Sequence, residues 1–146
     1  MITLKDIQAN PTFKTLIRRT NEYLSMLGYT EHGLRHVTYV STMTAYILET
    51  LGHDKRTVEL GAIAGYLHDI GNMHNRKHHG PTGANIVYYE LRRLGMPLEE
   101  ICDITIAIAN HEEEIGVPVT PITAALVIAD KSDAHRTRVG RVPCVD

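Results

Sequence analysis

The chain has 146 residues, of which 43% are hydrophobic and 22% are charged, and its net charge is −2 with neutral histidine. This length predicts one domain, residues 1–146, with enough chain to bury a hydrophobic core. The chain lacks the excess of positive charge that is typical of nucleic-acid-binding proteins, and no apolar run is long enough to span a membrane. The first residues, "MITLKDIQANPTF", lack the pattern of a signal peptide, so a cytoplasmic location is expected.

Hydrophobic periodicity predicts helices nearly throughout, and no stretch alternates convincingly as a strand does. Asn10 and Pro11 open the first predicted helix, and Thr120 and Pro121 open the last, as an N-cap residue followed by a proline commonly does. Glycines at 28, 52, 71 and 95 are the predicted stops of the first four helices. The predicted fold is all-α, a compact bundle of about six helices at about residues 11–28, 30–51, 54–71, 84–94, 97–112 and 121–134.

The aromatic content is low, with no Trp and one Phe among the 146 residues. The core is therefore expected to be aliphatic, with the seven Tyr as its main aromatic residues. Histidine is abundant by contrast, at nine residues. Because His is the usual ligand for borderline transition metals, the histidines are the first place to look for a functional site.

Six residues of types that commonly ligate metals lie in or next to apolar segments of the predicted helices. Each follows or belongs to an apolar stretch that must face the core, such as "GAIAGYL", "ITIAIAN" or "ITAALVIA". Polar side chains at the ends of buried helices must form hydrogen bonds or bind a cation, because burial without a partner is costly. The six residues, four imidazoles and two carboxylates from five helices, are His36, His68, Asp69, His79, His111 and Asp130.

The adjacency of His68 and Asp69 suggests how a divalent metal would be shared. Neighbours in mid-helix point about 100° apart and rarely hold one ion, but at a helix end beside Gly71 both can reach a common centre. A carboxylate has two oxygens and can bridge two cations, whereas an imidazole offers one nitrogen to one metal. Asp69 is therefore the expected bridge of a two-metal site.

The ordered motifs resemble the HD-domain superfamily of metal-dependent phosphohydrolases. "HVTYV" resembles its His-x-x-x-Val motif, and "LHDIG" its His-Asp doublet with a trailing Ile-Gly. "HGPTGA" resembles the His-x-x-x-Gly-Ala motif, which selects His79 over His78. "ANHEE" and "ADKSDA" resemble the last two motifs, and the resemblance covers about residues 30–135.

This resemblance implies a binuclear site and a hydrolytic mechanism. One metal would be held by His36, His68, Asp69 and Asp130, and the second by Asp69, His79 and His111. Mixed nitrogen and oxygen ligands favour two divalent transition-metal ions, Mn, Fe, Co, Ni or Zn. Such ions would lower the pKa of a bridging water and give a hydroxide for in-line attack on phosphorus. The implied substrate is a small phosphorylated molecule, with nucleotides the leading class.

Further residues are candidates for catalysis or substrate binding. Asp69 is the expected catalytic bridge, and Glu112 could orient a ligand or relay a proton, although it also fits a solvated acidic run. The cationic candidates are Arg76, Lys77, Lys131 and Arg136, for each of which a solvated surface is the alternative. His32, four residues before His36, is expected to line the pocket or to ligate a third metal, and His78 to lie at the pocket rim or in solvent.

Departures from the family's motifs disfavour some of the substrates that its members hydrolyse. "EEEIGVPVTP" lacks the loop expected of enzymes that hydrolyse cyclic di-GMP, and no Glu-Asp follows the doublet as in guanosine tetraphosphate hydrolases. Asn72 stands where many relatives have Lys, which removes one phosphate-binding or general-acid candidate. The alternatives left open are a di-iron oxygenase and a non-catalytic ligand-binding or signalling module. Since few residues follow Asp130, a second subunit could complete the pocket, and a homo-oligomer is one expectation.

Overall fold

A computed structural model describes residues 1–134 of the protein. These residues form seven α-helices and one 3₁₀ turn, and no strand occurs among them. The helices are α1 (Leu4–Ala9), α2 (Pro11–Met26), α3 (Leu34–Thr50), α4 (Lys55–Leu67), α5 (His79–Arg93), α6 (Leu98–Ala109) and α7 (Pro121–Lys131), and the 3₁₀ turn is Ile70–Met73. The all-α prediction is confirmed, and α2 to α7 correspond to the six predicted helices.

Several predicted helix ends are confirmed by local hydrogen bonding and backbone conformation. The Asn10 side chain accepts a hydrogen bond from the Phe13 N–H at 2.9 Å, which caps α2. Thr120 caps α7 in the same way, accepting from the Thr123 N–H at 3.2 Å. The predicted glycine stops after α2, α3 and α5 have φ values of 83°, 87° and 84°, a left-handed conformation that glycine adopts without the steric cost of a Cβ.

The helices α6 and α7 end three residues before their predicted ends, and four other differences from the predictions are of more consequence. The short helix α1 was not predicted; a capping box between Thr3 and Asp6 stabilises its first turn. The prediction that α3 begins near residue 30 was wrong, because Gly33 adopts an extended conformation and the helix starts after it. The helix α4 ends at Leu67 rather than at residue 71, where the chain turns into the 3₁₀ segment.

The fourth difference concerns α5, which begins at His79 rather than at residue 84. Gly80, Pro81 and Gly83 suggested a loop, but a proline is tolerated in the first helical turn because the N–H that it lacks has no intrahelical partner there. His79 is therefore the first residue of the helix and does not precede it. This start places its ring at the N-terminal end of α5.

The core lies around α4, whose residues 60–67 are all buried. This helix is contacted by α1, α3, α6 and α7. Close approach to α3 depends on Gly65, because a Cβ there would lie 2.9 Å from the Cα of Ser41. The core is aliphatic as predicted, but the tyrosine expectation was largely wrong: among residues 1–134, Tyr66 is the one fully buried tyrosine, at 4% exposure.

None of the helices within residues 1–134 combines the length and the apolar content needed to cross a bilayer.

Candidate metal centre

The six candidate ligands meet at one place because each lies at or near the end of a helix. His36 is in the first turn of α3, and His79 is the first residue of α5. His68 caps the C-terminal end of α4, and Asp69 follows it. His111 follows the end of α6, and Asp130 is in the last turn of α7. All except Asp130 are at most 5% exposed, so the cluster has one ligand, Asp130, that is partly open to solvent.

Asp69 lies at the centre of this cluster, with imidazoles on both sides of its carboxylate. Its Oδ2 is 3.3 Å from the Nε2 of His36 and 3.3 Å from the Nε2 of His68. Its Oδ1 is 3.8 Å from the Nε2 of His79 and 3.9 Å from the Nε2 of His111. Each oxygen therefore faces a different pair of nitrogens, which is the arrangement expected of a carboxylate that bridges two cations.

Asp130 completes the Oδ2 side of the cluster. Its Oδ1 lies 3.1 Å from the Nε2 of His36 and 3.4 Å from the Nε2 of His68. One ligand atom from each of these three side chains lies within 4.8 Å of the others, and the same holds for His68, Asp69 and His111. These separations suit ligand atoms at about 2.0–2.2 Å from a shared ion.

The Nδ1 atom of every clustered histidine is already hydrogen-bonded to an oxygen. His68 Nδ1 donates to the Gly65 carbonyl at 2.7 Å, and His111 Nδ1 to the Ile108 carbonyl at 2.6 Å. His79 Nδ1 donates to the Arg76 carbonyl at 2.9 Å. A carbonyl can only accept, so the proton is on Nδ1 and the lone pair of a neutral ring is on Nε2, facing the cluster.

Two of these Nε2 atoms face each other. The Nε2 of His79 and the Nε2 of His111 are 3.0 Å apart. With both protons on Nδ1, two lone pairs point toward one another, which is unfavourable unless a cation or a proton lies between them. This contact is a direct sign that the pair suits a positively charged ligand.

The cluster also contains buried polar atoms without a hydrogen-bond partner among residues 1–134. They are the Nε2 atoms of His36 and His68 and the Oδ2 of Asp69. A buried polar atom left unpaired costs about 1–3 kcal/mol. Three such atoms converging on one point, with a mixed nitrogen and oxygen donor set, fit the divalent metals that HD domains bind.

The cluster has an electrostatic asymmetry around Asp69. Burial alone would lower the pKa of His36, but the carboxylates of Asp130 and Asp69 outweigh it and raise the pKa to about 10. Burial and the neighbouring His68 lower the pKa of His111 to about 4. Burial alone would raise the pKa of Asp69, but the surrounding imidazoles hold it well below its usual value. A metal ion at His36 must displace a proton, so metal affinity on that side of the cluster rises with pH.

Sequence reasoning missed Asp133, which orients His36. The Oδ2 of Asp133 accepts from the His36 Nδ1 at 2.7 Å and from the Arg35 Nη2 at 2.6 Å, and the Asp133 side chain is 2% exposed. A carboxylate behind a ligating histidine fixes the ring orientation and raises its basicity. The signal was present in "ADKSDA", where a second Asp follows Asp130 by three residues at the end of a helix.

Replacing Asp133 with Asn is expected to lower metal affinity about 10- to 100-fold while the fold is retained. The asparagine has nearly the same shape but loses the charge that holds the His36 ring. Competition with a chelating dye would measure the affinity for Mn²⁺ or Zn²⁺. The matched control is Glu100→Gln, because Glu100 also pairs with an arginine at 2.6 Å but lies away from the cluster. An affinity loss no greater than that of the control would contradict this role for Asp133.

The candidate substrate-binding residues are not all brought together. Arg76, Lys77 and His78 line a cleft of about 760 Å³ that opens beside His79, His111 and Asp130. His78 is exposed and has a φ of 60°, unusual for a residue other than glycine. Lys131 is exposed and pairs with Glu113 at 3.0 Å, and Arg136 lies outside the described residues.

Two further candidates contact the ligands directly. His32 lies in the loop before α3 rather than on the helix, is 4% exposed, and has its Nε2 3.8 Å from the Oδ2 of Asp69. The Oε1 of Glu112 accepts from the Gly80 N–H at 2.7 Å, and its Oε2 lies 3.4 Å from the Nδ1 of His79. Glu112 therefore stabilises the N-terminal turn of α5 through the Gly80 N–H and also contacts the ring of His79.

The fold and the clustered ligands define a helical protein with a candidate site for two metal ions. The family model of the HD domain matches residues 33–137, more than half of the chain, and the chain therefore belongs to the HD-domain superfamily of metal-dependent phosphohydrolases. The resemblance predicted from the motifs is confirmed. No curated protein and no solved structure gives a significant match to the chain.

Proposed function

We propose that this protein hydrolyses a phosphate ester or anhydride of a small molecule, with nucleotides as the leading substrate class. The observation that carries the proposal is the position of Asp69, whose two oxygens face two separate sets of ligands, beside a cleft lined by His79, His111 and Asp130. Two bound divalent ions would supply Lewis acidity and an activated water at neutral pH. The reaction adds water to phosphorus and breaks the bond to the leaving group, which departs with a proton.

The protein's own residues supply the positions of the reacting groups. The Nδ1 hydrogen bonds fix each imidazole, so that little reorganisation is needed when a ligand binds. Glu112 lines the cleft and contacts the His79 ring but is not itself a candidate ligand, and it is therefore the candidate for holding or moving a proton near His79. Burial of the histidines excludes bulk water from most of the cluster, which borders the open cleft at His79, His111 and Asp130.

The charge of the cleft supports a metal-dependent function. Among residues 1–134, its lining has two cationic side chains, Arg76 and Lys77, against four carboxylates, Glu112, Glu113, Glu114 and Asp130. A phosphorylated substrate would therefore be repelled by the lining alone. Two divalent cations would reverse the sign of the local charge, since bound ions are often the largest charges in a site. Substrate affinity is thus expected to depend on the metals.

The size of the cleft is consistent with a nucleotide. Its volume of about 760 Å³ lies within the range of about 300–1,000 Å³ that is usual for small-molecule sites. Tyr29 and Ile115 contribute a half-exposed aromatic ring and an aliphatic side chain to the same lining, which gives an apolar surface near the charged groups. A substrate with a phosphate and a planar base would use both parts.

The test is reconstitution with Mn²⁺, followed by a phosphate-release screen of nucleotides and of generic phosphate esters. Release that is abolished by chelation and restored by Mn²⁺ supports the proposal. Anaerobic reconstitution with iron, followed by oxygen uptake measurements, tests the oxygenase alternative. Oxygen consumption without phosphate release would overturn the phosphohydrolase assignment, and metal binding without either reaction would indicate a binding or signalling module.

A further inference from the structure

Within residues 1–134, Arg76 is the one arginine that lines the cleft, and its side chain is held in place by three neighbours. Its Nη1 donates to the Oδ1 of Asn72 at 3.0 Å, and the same Nη1 lies 3.4 Å from the Nε2 of His32. The guanidinium carbon lies 5.8 Å from the centre of the Tyr29 ring, within the range of a cation–π contact. These contacts restrict a side chain that would otherwise be free to rotate.

The contacts occupy only one edge of the guanidinium. Both hydrogens of Nη1 are directed to Asn72 and His32, because the His32 Nδ1 donates to the Thr30 carbonyl at 2.6 Å and leaves Nε2 as an acceptor. Among residues 1–134, no carboxylate lies within 4.0 Å of Arg76, in contrast to Arg35 and Arg56. No side chain or carbonyl within residues 1–134 accepts from the Nε or Nη2 of Arg76, so these nitrogens form a planar pair of available donors, a geometry that matches two oxygens of a phosphoryl group.

Asn72 connects this arginine to the bridging carboxylate. It is fully buried, and its Nδ2 lies 3.2 Å from the Oδ1 of Asp69 and 3.1 Å from the Asp69 carbonyl. One amide group therefore donates to the candidate metal bridge and accepts from Arg76. This contact gives a role to the asparagine that follows "HDIG". Asn72 has no positive charge of its own, but it fixes the guanidinium of Arg76, four residues later in the chain.

The position of Arg76 also bears on the two expectations for His32. A guanidinium nitrogen 3.4 Å from the His32 Nε2 takes the place that a third cation would need, and two positive charges so close would repel each other. This contact favours His32 as an acceptor that holds Arg76 near Asp69 over His32 as the ligand of a third metal.

We infer that Arg76, positioned by Asn72 and His32, binds a non-bridging oxygen of the substrate phosphoryl group and makes the site selective for phosphate monoesters. The inference rests on the proposed function and specifies its substrate class. A monoester has three non-bridging oxygens and is largely a dianion at neutral pH, whereas a diester has two and one negative charge. Two metal ions and one guanidinium would provide three positively charged groups, and the three non-bridging oxygens of a monoester can contact one each. Hydrolysis adds water across the P–O ester bond and gives an alcohol and inorganic phosphate.

The first experiment measures binding of inorganic phosphate to the Mn²⁺-loaded protein by calorimetry and needs no turnover. Arg76→Gln is expected to weaken phosphate binding about 100-fold while the metal content stays unchanged. Arg76→Lys, which keeps the charge but loses the planar donors, is expected to recover only part of this loss. Arg92→Gln, at an exposed position on α5, is the control for removal of a positive charge and should leave binding unchanged.

A second comparison separates a specific contact from general electrostatics. Lys77→Gln removes an equal charge from the same cleft, and it should cause a clearly smaller loss than Arg76→Gln. Asn72→Ala should weaken phosphate binding although Arg76 is intact, and the double variant Asn72→Ala/Arg76→Gln should be no worse than Arg76→Gln alone. Equal losses for the Lys77 and Arg76 variants, or additive losses for Asn72 and Arg76 in preparations of equal metal content, would overturn the inference.

Rates on p-nitrophenyl phosphate and bis-p-nitrophenyl phosphate test the selectivity. Arg76→Gln should lower kcat/KM about 100-fold for the monoester and less than about tenfold for the diester. Equal effects on both esters, or a wild-type preference for the diester, would refute monoester selectivity. If phosphate binding depends on Arg76 but no ester is hydrolysed, the anion site stands and the proposed function is rejected. If esters are hydrolysed at a rate that does not depend on Arg76, this inference alone is rejected.

Discussion

The Asp69→Asn variant is expected to lose both metal ions, not one, together with nearly all hydrolytic activity. The two oxygens of Asp69 face different pairs of imidazoles, at 3.3 Å on one side and at 3.8 and 3.9 Å on the other. An amide has one acceptor oxygen and no negative charge, so the shared bridge is lost, and even the side that keeps an oxygen loses the anionic ligand. Loss of several kcal/mol of charge stabilisation corresponds to at least about a 1,000-fold lower rate.

Elemental analysis and phosphate-release rates would be measured on the same preparation. Asp103→Asn is the matched control, because Asp103 is an exposed aspartate on α6 away from the cluster. The control should keep the wild-type metal content and rate. Two tightly bound ions per chain in the Asp69 variant would rule out a bridging role for this carboxylate, whatever the remaining activity.

The Gly71→Ala variant is expected to be destabilised by at least about 3 kcal/mol, which is a large fraction of a small domain's stability. A Cβ at residue 71 would overlap the carbonyl oxygen of His79 and would lie 2.5 Å from the Gly83 nitrogen. Both obstacles are backbone atoms of α5, so no side-chain rotation relieves the clash. Relief requires α5 to move, and that movement displaces His79 from the cluster.

Urea unfolding of the metal-free protein would measure this effect without a contribution from metal binding. Gly95→Ala is the matched control: nothing lies within 4 Å of its added Cβ, but its φ of 84° imposes a cost of about 1–2 kcal/mol. A loss at residue 71 no larger than at residue 95 would mean that α5 and the 3₁₀ turn are not as closely packed as the structure indicates.

The glycine after the His-Asp doublet illustrates what sequence reasoning can misjudge. Gly71 was predicted as a helix stop, because glycine commonly ends helices. In the structure α4 has already ended at Leu67, and Gly71 is required by the close passage of α5 instead. The same residue type serves both purposes, and only the neighbouring backbone distinguishes them.

The helices were predictable because their signals are local. An asparagine or threonine cap, a first-turn proline and a glycine stop each act within a few residues, and periodicity shows which face of a helix is buried. The start of α5 was missed because Gly80 and Pro81 weaken a helix in general but not in its first turn. The family was predictable as well, since its motifs are short and ordered along the chain.

The amino-acid sequence by itself determined the all-α fold, the helix caps and the chemical types and order of the six candidate ligands. The tertiary structure decided which nitrogen of each histidine faces the cluster, that Asp133 orients His36 from 97 positions away, and that Asn72 connects Asp69 to Arg76. The physical reason is that caps and periodicity act over a few residues, whereas these contacts depend on how whole helices pack. A hydrogen bond is made or lost within a few tenths of an ångström, and that precision arises only from the packed chain.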